Sequence, residues 1–277
     1  MSILMSRAKP GVVAFFAALC LALGAPAHAQ PKLSAEELAK LAQNPVANLI
    51  SVPFQNNTNF NVGPRDGTQN ILNIQPVIPV SLSPEWNLIT RTILPIVTQP
   101  GFTAGQSSTT GLGDLQFSAF LSPNTATGLI WGAGAIVQAP TNSNDRLGND
   151  RWGLGPTAVV LRLEKGSPWV YGALINNVWS VSSSGTDPSY NNFLLQPFLN
   201  YNFPGGLYVN SAPIITANWK ADSSQRWTVP IGAGIGKIFH FDRLPVNMQL
   251  GVYWNVIAPD NGPDWQLRFQ VQFMFPK

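Results

Sequence analysis

Hydrophobic and polar side chains alternate with a period of two in several segments of the chain after residue 50. Because successive side chains of a β-strand point to opposite faces, this alternation predicts strands that are apolar on one face and polar on the other. The stretch 265–275, WQLRFQVQFMF, is the clearest case, with Met274 as its exception. Its apolar face comprises Trp265, Leu267, Phe269, Val271, Phe273 and Phe275. Its polar face comprises Gln266, Arg268, Gln270 and Gln272.

About twelve strand-like stretches follow one another after residue 50, separated by clusters of Gly, Pro, Asn, Asp and Ser. An even number of strands is typical of single-chain outer-membrane barrels. Two stretches, 152–164 and 168–181, are apolar on both faces, so the pattern leaves their orientation open. The full set lies near 50–62, 69–82, 85–98, 111–121, 127–139, 152–164, 168–181, 190–203, 206–219, 225–238, 244–257 and 264–275.

The connections between these stretches are alternately short and long. Outer-membrane barrels have short periplasmic turns and longer external loops, whereas a Greek-key sandwich does not separate the two so regularly. We therefore predict an all-β fold, a transmembrane antiparallel up-and-down β-barrel of about 12 strands. The short connections lie near 83–84, 122–124, 164–166, 204–205 and 240–243. The long ones read GPRDGT, QPGFTAGQSSTT, PTNSNDRLGND, SSSGTDPS, KADSSQ and APDNGP.

The N-terminal residues have the features of a secretory signal peptide. A positively charged start precedes the apolar run 12–23 and an A-x-A cleavage site at 27–29. Beyond it, Ser34 and Glu37 form the capping-box pattern that begins a helix. We expect the outer membrane of a Gram-negative bacterium as the location. The predicted regions are a signal peptide over 1–29 with cleavage near Ala29, a periplasmic N-terminal segment with a short helix over 30–49, and the outer-membrane β-barrel over 50–277.

The composition favours a membrane barrel over a soluble sandwich. Charged residues make up 10% of the chain, against about 25% in typical soluble domains. No stretch after residue 30 reaches the roughly 18 consecutive apolar residues of a transmembrane helix. The tryptophans lie mostly near predicted strand ends, as in the interfacial girdles of membrane barrels.

Few side chains beyond the signal peptide suit catalysis. The one cysteine, Cys20, lies within the signal peptide, and His240 is the one histidine after it. A lipid hydrolase needs a histidine beside Ser or Asp to move a proton, and His240 falls on a predicted tight turn. We therefore predict no enzyme activity, no catalytic residue, no metal site and no cofactor. Without Arg7 and Lys9 the net charge of +3 falls to 3 − 2 = +1, and no cluster of Lys and Arg suggests binding to nucleic acid.

Four segments carry a resemblance to a known family. They are GLGDLQFSAFLSP (111–123), DRLGNDRWGLGPTAVVL (145–161), LLQPFLNYNFPGG (194–206) and GPDWQLRFQVQFMFPK (262–277). The chain resembles bacterial outer-membrane proteins of the MetA-pathway phenol-degradation type, some labelled transporters and some "neuromedin U". The resemblance covers essentially the whole chain after the signal peptide. It implies a β-barrel that takes up hydrophobic or aromatic compounds.

The polar strand faces are expected to line the barrel lumen. An amide-rich lining suits small neutral or amphipathic solutes, because ion selection relies on rings of like charge. We predict a channel or transporter for small hydrophobic or aromatic compounds; the alternatives are a barrel enzyme of the lipid-hydrolase type and a non-transporting structural barrel. The sequence does not decide between an open lumen and a lumen plugged by Asp114, Arg91 and Arg268 pairing across it. The lumen-facing candidates are Arg91, Asp114, Gln116, Asn247, Gln249, Asn255, Arg268, Gln270 and Gln272.

The expected partners follow from this fold. Outer-membrane lipids would surround the barrel, and the barrel assembly machinery would recognise the C-terminal strand. That strand departs from the usual terminal aromatic residue, because Phe275 is followed by Pro276 and Lys277.

Overall fold

The computed structural model describes residues 33–125, 127–181 and 188–276. Across these residues one short helix precedes fifteen antiparallel strand segments in a single sheet. No helix in this part of the chain is long and apolar enough to cross a membrane. The elements are α1 (Ala35–Ala42), β1 (Ile50–Val62), β2 (Gly67–Ile74), β3 (Val77–Ser81), β4 (Trp86–Gln99), β5 (Thr109–Leu112), β6 (Leu115–Pro123), β7 (Gly128–Ala139), β8 (Gly153–Leu163), β9 (Trp169–Ser180), β10 (Asn191–Asn202), β11 (Leu207–Ser211), β12 (Ile215–Asn218), β13 (Trp227–Phe241), β14 (Leu244–Ile257) and β15 (Trp265–Phe275).

The sheet closes into a barrel of twelve strands, as predicted. Three pairs of segments, β2 with β3, β5 with β6 and β11 with β12, each make one strand with a short interruption. Pro76 and Pro213 stand in two of these interruptions, where a residue without a backbone N–H cannot donate to the ladder. The barrel closes where β15 pairs with β1, from Ile50 opposite Phe275 to Phe60 opposite Trp265.

Short and long connections collect at opposite ends of the barrel, here named the short-turn end and the long-loop end. The turn between β13 and β14 comprises only residues 242–243, and Asp242 adopts a left-handed conformation with φ of 54°. The prediction that His240 lies on this turn is wrong: His240 belongs to β13 and stands opposite Pro245. The strand is longer than predicted because the turn is so tight.

The outer surface of the barrel is apolar and aromatic. Large exposed hydrophobic side chains alternate with buried ones along the strands, as in β8, where Leu154 and Val160 are exposed while Val159 and Leu161 are buried. Aromatic pairs occur toward both ends of the barrel, such as Trp86 with Trp131, Trp219 with Trp227 and Phe60 with Trp265. An apolar band between two aromatic girdles is the outer surface of a transmembrane barrel.

The strands β8 and β9 are apolar on both faces because the barrel interior is also apolar beside them. Their inward side chains join a buried cluster with inward side chains of β4, β6, β7 and β10. This finding settles the orientation that the sequence pattern left open. The cluster contains Val46, Ile89, Phe120, Ile130, Val159, Leu161, Leu163, Val170, Leu174, Phe198 and Ala212.

Helix α1 begins with the predicted capping box. The Ser34 side chain accepts from the Glu37 backbone N–H at 3.2 Å, and the Glu37 carboxylate accepts from the Ser34 N–H at 2.8 Å. The Ser34 N–H and the Ser34 hydroxyl both donate to this carboxylate and so lower the pKa of Glu37. The helix buries Leu38 and Ala39 against Tyr208, Ile238 and Met274, which are the buried, inward members of β11, β13 and β15. The helix therefore packs on the inner wall of the barrel.

Residues 43–49 continue from the helix along the interior and are here named the N-terminal strap. Gln43 and Asn202 exchange two side-chain hydrogen bonds, of 2.8 Å and 3.1 Å. Val46 belongs to the interior apolar cluster, and a Cβ added at Gly132 would lie 3.2 Å from Cγ1 of Val46. Glycine at this position therefore lets the strap lie close against β7.

Candidate functional site

Strands β14, β15 and β1 bring rows of amide side chains together on the inner wall. In the antiparallel register Asn247 stands opposite Gln272, and Gln249 stands opposite Gln270. Gln270 in turn stands opposite Gln55 of β1. Directly opposed residues of an antiparallel pair share a face of the sheet, so the period-two pattern of each strand builds one continuous polar wall.

Hydrogen bonds between these amides hold the wall in place. The Asn247 Nδ2 donates to Gln272 Oε1 at 3.2 Å, and Gln272 Nε2 donates to Ser51 Oγ at 3.2 Å. The Tyr208 hydroxyl donates to Asn247 Oδ1 at 2.9 Å. Buried amides keep their desolvation cost low only when they are hydrogen-bonded, and this network meets that need.

A second chain of amides runs around the wall toward the long-loop end. Gln266 donates to Asn59 at 2.8 Å, Asn59 donates to Gln69 at 2.8 Å, and Gln69 donates to Gln99 at 2.6 Å. These residues belong to β15, β1, β2 and β4 in turn. The chain joins four neighbouring strands without using a charged residue.

Arg268 is the most strongly held charged residue of the wall. Its guanidinium donates to Asn57 Oδ1 at 3.2 Å, to the Ala212 carbonyl at 2.8 Å and to Gln266 Oε1 at 3.0 Å. It also lies 4.4 Å from the centre of the Tyr253 ring, a distance at which a cation is attracted to the ring face. Arg268 is only 3% exposed.

Arg91 is held by fewer contacts. It lies on β4 opposite Val77, and its Nη2 donates to Gln75 Oε1. Gln75 is buried in the interruption between β2 and β3, where its backbone N–H donates to the Pro53 carbonyl at 2.8 Å. The Arg91 side chain is half-buried.

Three of the nine lumen-facing candidates, Asp114, Gln116 and Asn255, have partners at the long-loop end of the barrel. Asp114 accepts from the backbone N–H of Asn149 at 2.7 Å and from Gln138 at 3.2 Å, while Gln116 donates to Gln138 at 3.1 Å. Asn255 donates to the Pro263 carbonyl at 2.6 Å. These three side chains hold elements at the long-loop end instead of lining the central cavity.

The segment that begins at Gly111 reads Gly-Leu-Gly-Asp, and the contacts of its two glycines and of Asp114 account for this sequence. The loop 140–152 folds down onto the interruption between β5 and β6, and its Leu147 is buried there. A Cβ added at Gly111 would lie 3.0 Å from Leu147 Cδ1, and one at Gly113 would lie 3.1 Å from the Leu147 carbonyl oxygen. The two glycines leave room for the loop, and the aspartate binds its backbone.

Of the two alternatives that the sequence left open, the described residues do not show the pairing of Asp114, Arg91 and Arg268 across the lumen. In residues 33–125, 127–181 and 188–276 the ion pairs are Lys40 with Glu36 and Arg162 with Glu164. Asp114 lies at the long-loop end, bound to loop backbone, while both arginines have neutral partners. The lumen is instead narrowed by the N-terminal strap and by α1.

The space left between the strap and the polar wall is a cavity of about 160 Å³. Six of the nine candidates line it: Arg91, Asn247, Gln249, Arg268, Gln270 and Gln272. Apolar residues complete the lining, among them Leu41, Leu49, Val77 and Phe198. A cavity of about 150 Å³ is large enough for benzene, so this one has room for a single aromatic ring.

Sequence patterns missed the part of the lining that the N-terminal segment supplies. Leu41, Pro45, Ala47 and Leu49 all contribute to the cavity. Their apolar character was visible in the sequence, but it does not say which surface they cover. Among the described residues, no group of His, Cys, Asp and Glu could hold a metal ion, and His240 forms no hydrogen bond to a Ser or Asp there.

Comparison with known proteins supports the fold. No family model matches the sequence, and no curated protein matches it. An outer membrane channel from Pseudomonas putida F1 is similar with a TM-score of 0.59 at 21% identity, covering 82% of this chain and 93% of that one. At this identity the likeness shows a shared barrel fold.

Two further barrels match less well. The β-domain of a Bordetella autotransporter has a TM-score of 0.47 at 11% identity, covering 83% of this chain and 100% of that one. Outer membrane phospholipase A from Escherichia coli has a TM-score of 0.40 at 12% identity, covering 89% of this chain and 99% of that one. Neither likeness carries an argument about function.

Proposed function

We propose that this protein is an outer-membrane channel that admits small hydrophobic or aromatic molecules bearing a polar group. The observation that carries the proposal is the lumen cavity, whose wall is amide-rich on one side and apolar on the other. A neutral amide donates and accepts hydrogen bonds without favouring either sign of charge. A molecule with a ring and a polar substituent matches both parts of this wall.

Passage through such a lumen requires the N-terminal strap to move. The strap is held by the apolar contacts of Val46 and by the paired amides of Gln43 and Asn202. Its contacts with the wall are not covalent, so the segment can leave the lumen while the barrel ladder stays intact. We propose that the strap and α1 together close the short-turn end, on the periplasmic side.

The test is solute flux into liposomes that contain the refolded protein without its signal peptide. Wild type should admit benzyl alcohol and phenol faster than a neutral sugar of larger size. A variant that lacks residues 30–46 should raise the flux of all three solutes at least several-fold, because the lumen is then open. Ser224→Ala, a substitution at an exposed loop position, is the matched control and should leave the flux unchanged.

Two results would contradict the proposal. Flux no greater than in empty liposomes, for both wild type and the shortened variant, would mean that the barrel transports nothing of this size. Hydrolysis of phospholipid by wild type that disappears in His240→Ala would indicate an enzyme instead. Heat-dependent migration on a denaturing gel shows in each case whether the barrel is folded.

A further inference from the structure

The lumen cavity carries positive charge that no acidic side chain balances. Arg91 and Arg268 are the charged residues in its lining. No Asp or Glu of the described chain lines the cavity, and neither arginine belongs to either of the two ion pairs found there. The interior of the barrel therefore has a site with a net charge of +2 at neutral pH, because guanidinium groups stay protonated.

Buried charges in proteins are almost always paired, because removing an ion from water costs several kcal/mol. Arg268 meets part of this cost through three hydrogen bonds and the ring of Tyr253. Those partners are neutral, so they satisfy three of its five N–H groups but leave its charge in place. Arg268 is thus fixed in the wall and adds to the positive potential of the cavity.

Arg91 has more free bonding capacity than Arg268, which donates three hydrogen bonds. Of its five N–H groups, the structure places one on Gln75. Because the side chain is half-buried and part of the cavity lining, its remaining N–H groups are available to a ligand in the cavity. A guanidinium in this state fits a carboxylate, which it binds through two parallel hydrogen bonds.

A second polar group in the same lining also has unused capacity. The Oδ1 atom of Asn210 is buried and accepts no hydrogen bond from the described residues, and Asn210 lines the cavity. Beside Arg91, the side chain of Val77 packs on the apolar cluster that contains Phe198. The Asn210 oxygen can take only a donor such as a hydroxyl or water, so the anion site consists of the Arg91 guanidinium and the apolar surface beside it.

We propose that this cavity is a binding site for a small aromatic monocarboxylate, with the carboxylate on Arg91 and the ring against Val77 and Phe198. Arg268 contributes long-range attraction for the anion without contacting it. The inference narrows the solute class of the proposed channel. It rests on that proposed function in one respect, namely that the cavity lies on the path of the solute. Binding itself is measurable whether or not the barrel transports anything.

The test compares benzoate with benzyl alcohol, a neutral molecule of nearly the same size, by calorimetry on the detergent-solubilised full chain without its signal peptide. Wild type should bind benzoate at least tenfold more tightly, and added salt should weaken benzoate binding but not benzyl alcohol binding. Arg91→Gln should lower benzoate affinity at least tenfold and leave benzyl alcohol unchanged. Arg91→Lys should recover part of the loss, since it restores the charge but not the bidentate geometry.

The matched control is Arg162→Gln, which removes an exposed cation from the outer surface and should leave benzoate affinity unchanged. Equal affinity of wild type for benzoate and benzyl alcohol overturns the inference without any variant. So does an unchanged benzoate affinity in folded Arg91→Gln. Benzoate binding without solute flux would refute the proposed channel but support the binding site. Solute flux without preferential benzoate binding would support the channel and refute the binding site.

Discussion

At the scale of single residues, the inner wall is a polar surface kept stable by mutual hydrogen bonds. Asn57, Asn247, Arg268 and Gln272 are all less than 7% exposed, and every one of them has a side-chain partner. Such a wall is costly to disturb, because removing one partner leaves the other buried and unsatisfied. Arg268 has the most partners and should be the most sensitive position.

Arg268→Ala should lower the free energy of unfolding by about 3 kcal/mol, since hydrogen bonds to charged groups each contribute about 1.5–3 kcal/mol. The Ala212 carbonyl and Gln266 Oε1 lose the Arg268 donor in this variant, and Asn57 Oδ1 keeps only the Gln55 amide as a donor. Urea unfolding in lipid vesicles measures the change. Arg162→Ala, an exposed position on the outer surface, should change the value by less than about 0.5 kcal/mol. Similar values for the two variants would show that the buried network adds no stability.

Outside β8 and β9, residue patterns indicated the face of a strand on which a side chain lies, but not its height along the barrel. Six of the nine candidate residues line the central cavity, while Asp114, Gln116 and Asn255 lie toward the long-loop end with loop or strand-end partners. Alternation repeats every two residues along the whole strand, so it contains no information about height. A loop that folds inward, as 140–152 does, depends on tertiary contacts that no local pattern specifies.

At the scale of the elements, one carboxylate bonds that loop to the barrel at two points, beside the bonds that Thr141, Ser143 and Arg146 make. Asp114 accepts from Asn142 and Asn149, at opposite ends of the same loop segment, and from Gln138 of β7. Arg146 adds a bond from the loop to the Pro100 carbonyl at 2.6 Å. The loop is therefore an ordered cover at the long-loop end.

Asp114→Ala should release this loop, because the backbone N–H groups of Asn142 and Asn149 lose their acceptor. Trypsin should then cut after Arg146 at least tenfold faster than in wild type, which timed digestion of the reconstituted protein measures. Asp145→Ala changes an exposed carboxylate in the same loop and serves as the control. If both variants are cut at the wild-type rate, Asp114 does not restrain the loop.

The helix α1 illustrates the difference between forming an element and placing it. The capping box of Ser34 and Glu37 predicted the helix, and the structure has it at Ala35–Ala42. Its position on the inner wall was not predictable from local sequence, because Leu38 and Ala39 would form an apolar stripe against any surface. The docking depends on Tyr208, Ile238 and Met274, which come from strands far along the chain.

At the scale of the whole molecule, strand periodicity and the alternation of short and long connections were enough to predict a closed barrel of twelve strands. The prediction held because every strand must bury its backbone groups with two neighbours in a membrane, which only closure achieves. What the sequence did not reveal is that the interior is apolar on one side and that the chain's own N-terminal segment occupies it. These features arise from packing across the lumen between residues that lie far apart in the sequence. No periodic pattern along the chain relates such residues.

The central claim is that the lumen is the route for solutes and that the N-terminal strap closes it. The most direct measurement is solute flux in a variant whose strap is tied to the wall. Gln43 and Asn202 touch through their side chains, and the one cysteine of the chain, Cys20, lies in the expected signal peptide. The double variant Gln43→Cys with Asn202→Cys can therefore be joined by a short thiol-specific cross-linker.

Cross-linking should reduce the flux of benzyl alcohol into liposomes at least tenfold relative to the same variant before treatment. Each single-cysteine variant, treated in the same way, should keep its flux. Unchanged flux after complete cross-linking of the double variant would contradict the account, because solutes would then pass without movement of the strap.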